Sequence, residues 1–169
     1  GIDNSTYAEH NGAKKFSEGG VGFAHKREFY LTGQNPFKEG TTRVVESIAS
    51  GNESRAEWRA TVEQAGDYAV YVSYESFGKE SAQDAHYTIH HRGGESEFAV
   101  NQTMGGGMWI YLGHFPLAAG ENQLIVSLDN VSAKAGKKIS ADGVKIGGGW
   151  GNIARTVEKE FQDEDITYY

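Results

Sequence analysis

From Arg55 onward the apolar residues of this 169-residue chain recur at every second position. That period places them on one face of an extended strand, and a helix cannot use it. Ala56, Trp58, Ala60 and Val62 share a face, with Glu57, Arg59 and Thr61 opposite. Gly66-Asp67 turns the chain into a run where Tyr68, Val70, Val72 and Tyr74 alternate with Ala69, Tyr71 and Ser73. Tyr87 and Ile89 come next, Arg92-Gly93-Gly94-Glu95 turns back through Phe98 and Val100, and Met108 to Phe115 follows. Leu124, Val126 and Leu128, then Val144 and Ile146, complete the series, with Gly120-Glu121-Asn122 and Asp129-Asn130 as turns. Six or seven strands at hairpin spacing predict an all-β sandwich or barrel of antiparallel strands.

The flanks are less regular. In residues 1–50, Phe23, Phe29-Tyr30 and Phe37 are expected to cover one end of the sandwich, and Arg43 to Ile48 to add a strand. Ile153 to Phe161 reads as a short helix. The domain is placed at 1–149, with 150–169 beyond its boundary.

A net charge of −7 argues against a polyanion as partner, so no nucleic acid is expected. Residues 156–169 hold five acids against Lys159, and the lysines at 14, 15, 134, 137 and 138 read as solvated loop charges. No run approaches the roughly 18 apolar residues of a membrane helix, so no membrane insertion is expected. The absence of cysteine removes disulfides and thiolate metal sites. Sequons at Asn4, Asn52, Asn101 and Asn130 read as chance in a chain rich in Asn and Ser.

Three chemical readings compete with this strand order. Gly149-Trp150-Gly151-Asn152-Ile153-Ala154 spells G-x-G-x-x-A, but it stands near the end of the sequence with no βαβ unit to follow. No nucleotide cofactor is therefore expected. His86 and His90 have a helical chelate spacing, yet on a strand at ~3.3 Å per residue they stand about 13 Å apart, and His91 faces the other way. No metal site is expected; Asp142 is read as a strand-end hydrogen-bonding group, with a structural calcium ion as the alternative. Tyr87, His90 and Arg92 are residue types that a polysaccharide lyase can use, and they lie on one hairpin. Their spacing is not diagnostic, and no paired acid/base unit or nucleophile motif accompanies them. The chain alone is expected to be non-catalytic.

Several stretches, taken in order, resemble one family. "AEWRATVEQAGDYAVYVSY", "AHYTIHHRGGESEFAVNQTMGGGMWIYLGHFPLAAGENQLIVSL" and "ISADGVKIGGG" are similar to the golvesin / xanthan-lyase carbohydrate-binding-like domain across roughly residues 55–149. Two departures are Gly143, where the family pattern has alanine, and the missing proline before Ala65-Gly66. The resemblance implies a jelly-roll-like β-sandwich, a module rather than an enzyme, attached to secreted proteins that act on polysaccharide or cell wall. It further implies a secreted, periplasmic or cell-surface location and a host catalytic domain in the same chain. "GGGWGNIAR" resembles Bacteroidota proteins commonly labelled xanthan lyase, in which the chain continues past this domain, and that resemblance implies that 150–169 is a linker or return segment towards the host domain.

Sugar-binding sandwiches stack pyranose rings on exposed aromatics beside amide and carboxylate groups. Trp109 and Tyr111 share a strand face opposite Met108, Ile110 and Leu112, which makes them the candidate platform, with Asn101 and Gln102 as candidate hydrogen-bonding partners for a glycan. The competing reading packs Trp109 beneath the glycine loop as part of the fold. Trp58, flanked by Ala56, Ala60 and Val62, is expected in the core.

Overall fold

The computed structural model describes residues 6–24, 37, 40–147 and 166–168. Among them, strands β1 (Thr6–His10), β2 (Ser17–Val21), β3 (Thr41–Glu46), β4 (Arg55–Val62), β5 (Gly66–Val72) and β6 (Ala85–His91) lead into β7 (Gly94–Val100), β8 (Ile110–Leu117), β9 (Gly120–Asp129), β10 (Lys138–Ala141), β11 (Val144–Gly147) and β12 (Ile166–Tyr168). They form a five-stranded sheet β1-β4-β9-β6-β7, a four-stranded sheet β12-β11-β5-β8 and a three-stranded sheet β10-β3-β2, with every named pair antiparallel. The expected all-β, jelly-roll-like sandwich is the fold observed.

The alternation that named the strands also builds the core. Ala56, Trp58, Ala60 and Val62 of β4, Tyr87 and Ile89 of β6, and Val126 and Leu128 of β9 cluster with Val70 and Val72 of β5 and Phe115 and Leu117 of β8. Val144 and Ile146 of β11, Val45 of β3 and Ile139 of β10 complete the same cluster. Glu57, on the solvent side of β4, is buried as well, because His10 lies 2.5 Å away and Arg55 3.6 Å away on top of it.

Strand order departs from hairpin spacing. β4 and β5 are consecutive but lie in different sheets, as do β7 and β8, and β8 and β9. The β6–β7 pair is a true two-residue hairpin, with His91 opposite Gly94. A short polar turn closes a hairpin or carries the chain over the sandwich edge equally well, and both leave the same burial period. Local pattern therefore cannot separate the two.

The strand expected over 43–48 is β3, and Phe37 joins the core against Tyr7 at 4.5 Å between ring centroids. Asn130, one of the four sequon positions, is fully buried: its side chain accepts from the Ser54 N–H at 2.7 Å and donates to the Glu46 carbonyl at 2.9 Å. Gly147 ends β11 as extended backbone. Residues 166–168, placed by sequence in the segment beyond the domain, pair antiparallel with β11. Phe29-Tyr30, the helix expected over 153–161 and the G-x-G-x-x-A run lie outside the described residues.

Candidate functional site

The outer face of the four-stranded sheet carries a row of rings. Lys145 of β11 stands opposite Tyr71 of β5, which stands opposite Tyr111 of β8. Each points away from the core because its strand neighbours, Val144 and Ile146, Val70 and Val72, and Ile110 and Leu112, point into it. The Tyr71 and Tyr111 rings are 5.3 Å apart, and the Lys145 ammonium sits 4.4 Å from the Tyr71 ring centre. At 5.1 Å it also faces the Trp109 ring, so one cation joins the two aromatic pieces. Phe23 continues the row, stacked on Trp109 at 5.2 Å with an 18° interplanar angle. At the other end the Tyr111 hydroxyl bonds His114, whose ring is 5.4 Å away edge-on.

Two devices hold Trp109 in place. The first is Gly143, where a Cβ would lie 2.8 Å from the tip of the Trp109 ring, so the missing side chain leaves room for the indole. A methyl group at residue 143 would press on the indole unless the ring shifted. The second is Asp142, a fully buried carboxylate that accepts from the backbone N–H of Phe23 at 2.8 Å and of Ala24 at 2.6 Å. It also accepts from the Ser73 hydroxyl at 2.8 Å. These bonds tether the segment that brings Phe23 onto Trp109. The Asp142 carbonyl meanwhile accepts from the Trp58 indole N–H at 3.2 Å. Burial raises the pKa of the Asp142 carboxyl, against the opposing pull of its Phe23, Ser73, Ala24 and Gly143 hydrogen bonds. Donors and a cation would compete for the same carboxylate lone pairs, and the donors occupy them here. Among the described residues, no three His, Asp or Glu side chains gather as a metal site.

The glycine loop before Trp109 is pinned from beneath by Tyr74, whose hydroxyl donates to the Met104 carbonyl at 2.6 Å while its own carbonyl accepts from the Gly107 N–H at 3.1 Å. Gly105 and Gly107 adopt φ of 77° and 72°, the left-handed region that a side chain disfavours.

The four candidate residues thus separate. Tyr111 is 49% exposed and is the open ring of the row. Trp109 is half-buried, combining both readings: its edge is packed on Gly143 while the ring takes part in the outer row. Asn101 is partly exposed, and its side-chain oxygen accepts from the Thr103 N–H at 3.0 Å and hydroxyl at 2.7 Å, which shapes its own loop. Gln102 is a correction. It is fully buried, donating to the Ser140 carbonyl at 3.0 Å and the Tyr87 hydroxyl at 3.2 Å and accepting from the Ser140 N–H at 2.9 Å. It stitches the core and cannot face a glycan. Sequence reading passed over Tyr71 and Lys145, although the same alternation that exposed Tyr111 put them on the outer side.

The lyase trio is split: His90 and Arg92 line one cleft beside Gln123, and Tyr87 is apart from them in the core. Tyr87 is fully buried, and desolvation drives its pKa far above the ordinary phenol value. His90 faces the opposite side of β6 and pairs with Ser127 at 3.1 Å and Glu95 at 3.2 Å. His86 bonds Asp129 and, at 2.9 Å, Glu97. Burial alone would lower the His86 pKa, but these two carboxylates outweigh it and raise the value. His86 and His90, on the outer face of the five-stranded sheet, are therefore each paired with carboxylates.

The described residues thus form an antiparallel β-sandwich with a row of aromatic side chains on one outer face. The sequence matches the Golvesin C-terminal domain family over residues 28–148, and the chain belongs to that family. In fold it is similar to part of a xanthan lyase from Paenibacillus, with a TM-score of 0.55 at 20% identity over 86% of this chain. The chain spans only 13% of that protein's length. A weaker likeness, to the enzymatically active domain of tailspike protein 4 from bacteriophage CBA120, has a TM-score of 0.36 at 12% identity, covering 83% of this chain and 19% of that one. No curated protein matches the sequence.

Proposed function

We propose that this domain is a non-catalytic glycan-binding module of a secreted protein that acts on polysaccharide or cell wall, with a host catalytic domain as its neighbour in the full-length chain. The observation that carries the reading is the row Trp109–Lys145–Tyr71–Tyr111 on one outer sheet face. Sugar rings present C–H faces that stack on aromatic rings, and their hydroxyls accept from a fixed ammonium. Tyr111 supplies the open ring, Lys145 the donor, and Trp109 a wall anchored by Phe23 and Gly143. Asn101 lies at the base of the adjoining loop. The family membership and the fold shared with part of a xanthan lyase support this reading.

The test is a titration of the full chain with neutral and acidic plant, bacterial and cell-wall polysaccharides, followed by tryptophan fluorescence. At least one glycan should change the signal, and Tyr111→Ala should weaken its binding about tenfold, one stacked ring's worth, with unfolding unaltered. A silent panel, or a Tyr111→Ala domain that binds as before, sinks the proposal. The second reading is an interaction domain packed on its host. It draws on Met104 and Met108, 64% and 53% exposed beside Trp109, since adaptable apolar side chains at a surface suit a protein contact. That reading takes over if the panel is silent and the host domain, added in trans, shields Trp109 from a collisional quencher.

A further inference from the structure

We propose that the cleft between the Gly78–Glu80 turn and the loop joining β9 to β10 is an oxyanion site, taking the carboxylate of an acidic sugar or a phosphate group. The cleft holds about 290 Å³ and is lined by Lys79, Lys134 and Lys137 together with Ser81, Gln83, Asp84 and Ser132. That volume is near the lower end for small-molecule sites and larger than a bare ion needs. The protein as a whole carries −7, so three ammonium groups around one concavity stand against the general field.

Asp84 lines the cleft as well and stays charged there: burial would raise its carboxyl pKa, but its hydrogen bonds and the Lys134 charge lower it. Asp84 accepts from the Ser132 hydroxyl at 2.5 Å and the Ala133 N–H at 2.9 Å, holding the loop that carries Lys134. Glu80 pairs with Lys138 at 3.6 Å. Lys79 and Lys134 make no salt bridge within 4 Å to any described residue, although the Lys134 charge acts on Asp84 from further away. Lys137 is tied at 3.1 Å to the Lys79 carbonyl, which fixes one ammonium at the lip and leaves further N–H donors on it.

The walls are rigid as well. Ser47 clamps the loop four times: its hydroxyl donates to the Lys134 carbonyl at 2.7 Å and accepts from the Lys137 N–H at 2.9 Å, while its N–H donates to the Lys137 carbonyl at 2.7 Å and its carbonyl accepts from the Gly136 N–H at 3.0 Å. On the opposite wall the Ser81 N–H donates to the Gly78 carbonyl at 3.1 Å, and the Ser81 hydroxyl oxygen accepts from the Phe77 N–H at 2.8 Å. The backbone that carries the lysines is therefore braced, and the Lys137 ammonium is held by its own hydrogen bond, which lowers part of the ordering cost of binding an anion. The site shares no residue with the aromatic row and does not depend on it.

The experiment is an amide-shift titration of the full chain by NMR with trigalacturonate, inorganic phosphate and neutral cellotriose. Trigalacturonate or phosphate should move the amides of Ser81, Gln83, Asp84 and 133–137, with an affinity that falls as salt is raised. Trigalacturonate binding the tighter of the two by about tenfold, roughly one added charge-assisted contact, identifies a glycan carboxylate as the source; equal or tighter phosphate binding identifies phosphate. The double substitution Lys79→Gln and Lys134→Gln, which leaves the Lys137 tether in place, should weaken either about tenfold or more on the same ground. Silence with both anions, equal shifts with cellotriose, or shifts indifferent to the lysines would overturn the proposal. Failure of the glycan reading above would appear at Trp109 and Tyr111 instead, so the two outcomes are separable.

Discussion

Trp58 and Trp109 both rest on the Asp142-Gly143 junction, one from the core and one from the outer face. Trp58 is 3% exposed, packs edge-on to Tyr7 at 5.3 Å and has its single donor satisfied by the Asp142 carbonyl. Trp109 touches the same junction through the space that Gly143 leaves, but its ring is shared with Phe23 and Lys145 at the surface. The first tryptophan is sealed on every side. The second is fixed in position yet only half-covered, which is the condition a binding surface requires and a core position does not.

The sharpest way to break the comparison is to truncate both rings. Trp58→Ala should cost about 3–5 kcal/mol, the usual range for emptying a buried aromatic site, read as a lower urea midpoint with little change in slope. Trp109→Ala should cost less, about 1–2 kcal/mol for a ring that is only partly buried. Equal losses would mean that Trp109 is core after all, and the aromatic row would lose its central wall.

The unequal legibility of these two rings has a physical cause. Trp58 could be placed from sequence because Ala56, Ala60 and Val62 set its phase within a single strand. The same local rule turned Tyr111 outward and Ile110 and Leu112 inward. The setting of Trp109 depends on Phe23, Gly143 and Lys145, which arrive from remote segments, and no periodicity within β8 encodes them. Gln102 misled for a related reason. An amide in a loop looks solvent-facing until the unpaired backbone groups of Ser140, on a strand far along the chain, are seen to need it. The allotment of strands to sheets was hidden too, since Glu63-Gln64-Ala65 and Ala118-Ala119 spell turns without saying whether the chain stays in its sheet.

A smaller perturbation asks whether the glycine or the indole sets the geometry. Gly143→Ala restores the family's usual residue and puts a methyl group 2.8 Å from the Trp109 ring tip. The tip can swing outward, so the cost should be about 1 kcal/mol, at the mild end of overpacking. Trp109 emission should shift to the red as the ring leaves its seat, while Trp58 stays shielded from quencher. An unshifted spectrum would show that the indole does not depend on the gap at residue 143.

The finest test reads the junction itself through pH. Because burial raises the folded-state pKa of Asp142 above its unfolded value, the folded protein holds that proton more tightly. The resulting stabilisation is complete below the unfolded pKa of about 3.9, and it is lost as pH rises through the folded value. Asp142→Asn removes this titration and retains one oxygen to accept from Phe23 or Ala24. The stability difference, wild type minus variant, should therefore decline with rising pH across that window and level off above it. Other titrating groups, His86 among them, cancel in the difference. A difference that instead grew with pH would mean that the four hydrogen bonds outweigh desolvation. The carboxylate would then hold Phe23 on Trp109 most firmly in its charged form, and the outer wall would be strongest at neutral pH.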